Sequence, residues 1–163
     1  MTGTESRNIV VRPAEPGDWP AVAELRWQWI VQNGAAPQAL EREDFVRHFV
    51  TWASENASSH HCMVLVRDTE VIGMAWLAIV QRVPTPHALE RASGDLQCVY
   101  VVPQARDDGL GSRLIKATLS EARHLGLERV TVHSSTRAIP AYTRTGFENT
   151  PRLLQARVAG PTP

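Results

Sequence analysis

Six residues, Arg106-Asp107-Asp108-Gly109-Leu110-Gly111, have the form R-x-x-G-x-G and lie between an apolar strand-like run, Asp95–Val102, and a stretch with helical periodicity. A glycine loop between a strand and a helix N-terminus is suited to an anionic group. Glycines let the backbone approach closely, unpaired N–H groups point outward, and the helix dipole favours negative charge. Two common phosphate loops can be tested against it. A Walker loop requires a Lys-Ser/Thr pair after its last glycine, and none follows Gly111. A dinucleotide fingerprint requires a third glycine and a place after the first strand of a βαβ unit, whereas this loop comes late and has two glycines.

The elements that must position this loop can be read from pattern. Ile9–Arg12 reads as a strand stopped by Pro13, and Asp18 as the N-cap of a helix carrying Val22, Leu25 and Trp29 on one face. After a loop at Ala35–Gln38, Phe45, Val46, Phe49, Val50 and Ala53 mark a second helix over about Glu41–Asn56. Cys62–Arg67 and Val71–Val80 read as a hairpin joined by Asp68–Glu70. Gln81–Ser93, with Pro84 and Pro86, reads as a loop before the strand Asp95–Val102. Apolar positions 110, 114, 115, 118, 119, 122 and 125 define the clearest helix, ended by Gly126. Arg129–His133 is a further strand, Ala138–Arg144 a short helix, and Leu153, Leu154 and Val158 suggest a last strand. The order is β-α-α-β-β-β-α-β-α-β: an α/β fold with one mixed sheet, an antiparallel meander followed by a right-handed parallel crossover, and helices on both faces. The expected organisation is one domain over 8–159 between a disordered tail at 1–7 and a second tail at 160–163.

Composition narrows the partners. The 17 Lys and Arg balance the 17 Asp and Glu, which argues against a general electrostatic affinity for nucleic acid or an anionic membrane. Cys62 and Cys98 each fall inside a strand run and read as buried, reduced thiols, with no metal-ligand spacing. MTGTESRN carries no apolar signal region and no run is long enough to span a bilayer, which reads as a cytoplasmic protein.

Three motifs together resemble the GCN5-related N-acetyltransferase (GNAT) superfamily. Val99-Tyr100-Val101-Val102-Pro103 is similar to its L-Y-V-x-P strand, and Arg106-x-x-Gly109-x-Gly111 to its [Q/R]-x-x-G-x-[G/A] loop. Ala138-x-x-x-Tyr142-x-x-x-Gly146-Phe147 is similar to its A-x-x-x-Y-x-x-x-G-F ending. Their order and spacing agree, over most of the chain. The resemblance implies an acetyl-CoA (or other acyl-CoA) site. Backbone N–H groups from Arg106 through Asp108, Gly109, Leu110, Gly111 and Ser112 would hold the pyrophosphate, and Val99 and Val101 would pair with the pantetheine arm. The strand carrying them would splay from its parallel neighbour to admit the thioester. Ser135 stands where many members have an Asn that contacts CoA. Asp107 and Asp108 put two carboxylates beside a phosphate site, so their side chains must point to solvent.

By the same resemblance Tyr142 lies near the CoA sulfur, where its hydroxyl could donate a proton. Strand alternation puts Asp95, Gln97, Val99 and Val101 on one face, and Asp95 resembles in position the glutamate base of the histone acetyltransferase branch. His60, His61, His87 and His133, and ordered water, are alternatives. Trp27, off the apolar face of its helix, is the preferred aromatic lining for an acceptor pocket. The implied activity is N-acetyl transfer to a primary amine of a small molecule or peptide. The competing reading is a non-catalytic acyl-CoA-binding sensor or interaction module. Dimers are common in the family, which admits a homodimer here.

Overall fold

The structure of the protein is a computed structural model, which describes residues 8–34 and 40–160. The tail expected at 1–7, residues 161–163 of the tail expected at 160–163, and the loop at Ala35–Gln38 lie outside the described residues. The elements are β1 (Ile9–Pro13), α1 (Trp19–Gln32), α2 (Arg42–Glu55), β2 (His60–Arg67), β3 (Glu70–Arg82), β4 (Arg91–Val101), α3 (Leu110–His124), β5 (Val130–Val132) and α4 (Ile139–Arg144). They build a five-stranded sheet in the order β1-β2-β3-β4-β5. Pairings through β4 are antiparallel, and β4 pairs with β5 in parallel. This is the expected meander followed by a crossover through α3. No helix among the described residues is long and apolar enough to cross a membrane.

Strand alternation distributes one run between two cores. In β2, Cys62, Val64 and Val66 enter a cluster with Trp19, Val22, Leu25 and Ala53 from α1 and α2. Met63 and Leu65, one residue out of phase, enter a second cluster with Leu110, Leu114 and Ile115 of α3. Covered on both faces, β2 is apolar throughout its middle, which is why its sequence shows no polar alternation. On α3 the buried residues are Leu110, Leu114, Ile115, Thr118 and Ala122, as the periodicity predicts.

The entry to α1 departs from expectation. Asp18 closes a 3₁₀ turn over Pro16–Asp18 and makes no side-chain capping bond to α1. Its carboxylate instead accepts from both terminal nitrogens of Arg12, at 2.7 and 3.1 Å, and from the Glu15 N–H at 2.7 Å. The Arg12 bond, above all, holds the Asp18 carboxyl below its ordinary range. A carboxylate with a folded pKa below the unfolded one stabilises fully above the unfolded value, and the effect is lost as pH falls through the folded one. Asp18→Asn should therefore cost about 1.5–3 kcal/mol at neutral pH, the scale for a hydrogen bond to a charged group. In urea titrations the gap from the parent chain should close in acid.

Two other expectations are corrected. The loop expected over Gln81–Ser93 is shorter at both ends: β3 and β4 stay paired out to Arg82↔Arg91, which leaves residues 83–90 between them. Only the tip turns, closed by reciprocal Thr85–Ala88 backbone bonds. Pro84 and Pro86 lie in that tip, where a missing N–H costs no ladder bond, so they mark the turn and not the length of the loop. The last strand is also absent. Among the described residues none follows α4, and Leu153, Leu154 and Val158 are 60%, 87% and 95% exposed. Adjacent leucines would point to opposite faces of a strand, so this segment has no single apolar face to bury.

Candidate active site

Beyond β4 the chain makes a 3₁₀ turn, Pro103–Ala105, with Ala105 fully buried. The Arg106 N–H donates to the Pro103 carbonyl at 3.3 Å, so it is used inside the turn. The Arg106 side chain folds back, its Nε donating to the Val101 carbonyl at 2.8 Å and its guanidinium lying 5.3 Å from the Tyr100 ring centre. Arg106 thus ties the loop to the end of β4. Asp107 and Gly109 both have left-handed backbone, at φ 71° and 72°, and Gly109 is the N-cap of α3 without any side-chain cap. The first helical bond of α3 runs from the Arg113 N–H to the Gly109 carbonyl at 3.1 Å. The N–H groups of Leu110, Gly111 and Ser112 precede it and have no intrahelical acceptor. The buried Leu110 side chain anchors this helix end in the core. Asp107 and Asp108 are exposed, as expected.

Beside this helix end, β4 has an open edge. Its parallel pairing with β5 covers only Gly94↔Val130, Asp95↔Thr131 and Leu96↔Val132. From Gln97 to Val101 it pairs with β3 alone among the described residues. The β4–β5 ladder thus ends where the fork is expected. A feature with no sequence signal lies at the fork. Cys98 has φ 52°, and between Trp76↔Gln97 and Met74↔Tyr100 the pairing shifts by one residue. This is a β-bulge, and it reverses side-chain phase. Asp95 and Gln97 lie on the side of Trp76, whereas Val99 and Val101 pack toward α3. The four residues expected on one face are divided between two.

Tyr142 of α4 is half-buried and meets Phe147 edge to face at 5.3 Å, both packed on the α3-side core. Burial first, and then the charge of Cys98, raise the Tyr142 pKa above its ordinary value. The phenol therefore stays protonated at neutral pH. Asp95 accepts from Gln97 Nε2 at 2.8 Å. Ser135 is exposed before the 3₁₀ turn that leads into α4, and its carbonyl accepts from Ser134 Oγ at 2.7 Å. His61 is held by Glu121 at 3.2 Å and His60 by Ser59 at 2.9 Å, while His87 and His133 are exposed.

On the α1–α2 side of the sheet a cavity of about 220 Å³ is lined by Arg26, Phe45, Phe49, Trp52, Trp76, Gln97 and Cys98. Trp27 is not among them. It packs on Phe45 at 5.7 Å, outside the wall, and its neighbour Arg26 takes the place expected for it. Burial pushes the Cys98 thiol up, and Arg26 opposes that shift.

A family model described as the acetyltransferase (GNAT) family matches residues 19–147. The chain belongs to this family. A curated relative, an amino-acid acetyltransferase of Neisseria meningitidis, is 28% identical over 122 residues, which is 75% of this chain and 23% of the relative. The GNAT chain thus spans about a quarter of that protein's length. Among solved structures, a predicted acetyltransferase with acetyl-CoA from Clostridium acetobutylicum superposes with a TM-score of 0.73 at 18% identity, over 93% of this chain and 97% of that one. Glucosamine-6-phosphate N-acetyltransferase of Arabidopsis thaliana superposes at 0.70 with 16% identity, over 93% and 99%. These likenesses agree on the fold.

Within the GNAT frame, Val99, Val101, Gly109, Leu110, Gly111 and Ser112 come to the forked end of β4. Asp95 is set apart from Tyr142 by the bulge, and no hydrogen bond joins them. Arg26 and Gln97 were missed as lining residues. The available signal was Phe45, Phe49 and Trp52 at i, i+4 and i+7 of α2, a stripe that reads equally well as core.

Proposed function

We propose that the chain is an acetyl-CoA-dependent N-acetyltransferase acting on a primary amine of a small molecule or peptide, by direct attack in a ternary complex. The observation that carries this reading is the meeting, at one end of β4, of an unpaired strand edge and the uncapped first turn of α3. The fit is to a ligand with a pyrophosphate and an amide-rich arm. N–H groups at Leu110, Gly111 and Ser112, with the adjoining backbone of Asp108 and Gly109, would hold the anion. The edge at Val99 and Val101 would pair with the amides. A Cβ built on Gly111 meets nothing within 4 Å and its φ is not left-handed, so neither packing nor backbone requires that glycine. Close approach of a ligand would.

Acetyl-CoA supplies an activated thioester. The transfer forms a C–N bond and breaks the C–S bond; the amine sheds a proton and the departing thiolate gains one. Tyr142, kept protonated, is the donor in this reading. Asp95, whose carboxylate holds Gln97 at the acceptor side, takes the amine's proton through water. Ser135 supplies a polar contact at the loop after β5. The similarity to an amino-acid acetyltransferase makes amino acids one class of acceptor to include.

Calorimetric titration with acetyl-CoA, ATP and NAD, followed by thiol release across an amine panel, tests the proposal. Acetyl-CoA should bind and at least one amine should release thiol. Binding with no turnover on any acceptor would establish the acyl-CoA sensor instead, and binding of ATP alone would remove the acetyl-CoA assignment.

A further inference from the structure

We infer that the acceptor is a free α-amino acid with an apolar, ring-sized side chain, seated in the aromatic cavity with its carboxylate on Arg26. The inference rests on the acetyl-transfer reading and adds the substrate class.

Size comes first. The cavity holds about 220 Å³, against roughly 150 Å³ for an apolar cavity that takes up benzene. It has room for one ring or branched aliphatic group and a small polar remainder. Phe45, Phe49, Trp52 and Trp76 form an apolar wall, and these rings brace one another at 5.5–6.0 Å between centres. An apolar guest gains most in such a place.

The polar groups select what that guest carries. The Arg26 guanidinium lies 4.6 Å from the Trp29 ring centre and has no carboxylate partner among the described residues. The guanidinium is held on the Trp29 face and makes no hydrogen bond among the described residues, so its planar fork can take a bidentate carboxylate. The same charge argues against a cationic guest. Rings like these could cage an ammonium group, but Arg26 in the same lining would repel it. Gln97 donates one of its two Nε2 hydrogens to Asp95, and its carbonyl oxygen is open to accept from an amine.

The three subsites fall in a usable order. Cys98 lines the cavity with Arg26 and sits at the bulge, directly before Val99 on the stretch of β4 that β5 leaves unpaired. The bulge therefore joins the cavity floor to the fork of β4 and β5. An α-amino acid spans this arrangement, with its side chain among the rings, its carboxylate on Arg26 and its amine at Gln97, facing the fork.

The test compares L-phenylalanine and L-leucine with 2-phenylethylamine, which lacks the carboxylate, and with L-lysine and L-glutamate. In thiol-release assays the apolar amino acids should be preferred in kcat/KM over the decarboxylated amine by at least about tenfold, the scale of a charge-assisted bidentate contact. Arg26→Gln should shrink that preference to less than about threefold with the acetyl-CoA Kd unchanged, because the lost contact is to the acceptor alone. Equal use of L-phenylalanine and 2-phenylethylamine by the parent chain overturns the inference, as does a preference that survives Arg26→Gln. If acetyl-CoA does not bind, the acetyl-transfer reading fails separately, and the cavity is judged by tryptophan fluorescence without acyl donor. Saturable quenching by L-phenylalanine and not by 2-phenylethylamine keeps the site; no quenching, or equal quenching, removes it.

Discussion

Gly111→Asp should abolish acetyl-CoA binding, weakening Kd by at least about 100-fold, while the protein stays folded and becomes no less stable. The two halves of this result have separate causes. Gly111 is the second residue of α3, its φ is not left-handed, and an added Cβ has nothing within 4 Å to strike. Glycine costs helix stability relative to other residues, and a carboxylate in the first turn interacts favourably with the helix dipole, by about 0.3–1 kcal/mol. Thermal melting should show an unchanged or higher Tm. The ligand meets the opposite effect, because a fixed carboxylate would occupy the N–H groups of the first turn and repel a pyrophosphate. Gly109 is the contrasting case: its φ of 72° is needed by the loop itself, so substitution there would confuse folding with binding. Calorimetric titration alongside melting curves checks the prediction. A Gly111→Asp protein that binds acetyl-CoA normally places the pyrophosphate elsewhere.

Elements whose signals are local were legible in the sequence. The α3 face, the β2–β3 hairpin and the glycine loop each depend on residues a few positions apart, and the parallel crossover follows from their order. Three features escaped because they are properties of pairs of elements. The bulge at Cys98 places an ordinary residue in left-handed backbone, and nothing in Gln97-Cys98-Val99 distinguishes it from plain alternation. Its consequence is large, since it turns Asp95 and Gln97 to one side and Val99 and Val101 to the other. The aromatic cavity needs α2 to meet β3 and β4, which periodicity within α2 cannot show. Rotation of α1 about its axis decides that Arg26 and not Trp27 lines it, and a helix with aromatics on several sides does not announce that rotation. The extended β3–β4 hairpin was hidden by two prolines that act only at its tip.

Tyr142→Phe should lower kcat by about 10²–10³-fold, within the range for loss of a general acid, and leave the acetyl-CoA Kd within about twofold. The hydroxyl is the only group removed. The ring keeps its edge-to-face contact with Phe147 and its place on the α3-side core, so α4 should hold its position and melting should be little changed. The pH dependence gives a second readout. Burial and the charge of Cys98 raise the Tyr142 pKa above its ordinary value near 10. The donor form therefore persists through neutral and mildly alkaline pH, and activity that needs it falls only as pH rises through that raised value. An alkaline limb present in the parent chain and missing from the residual activity of Tyr142→Phe would identify the phenol as the titrating donor. Cys98→Ala removes the second cause of the raised value and should move that limb toward lower pH. A Tyr142→Phe enzyme with unchanged kcat would exclude Tyr142 from the proton transfer, and the thiolate would then have to take its proton from water entering along the fork between β4 and β5.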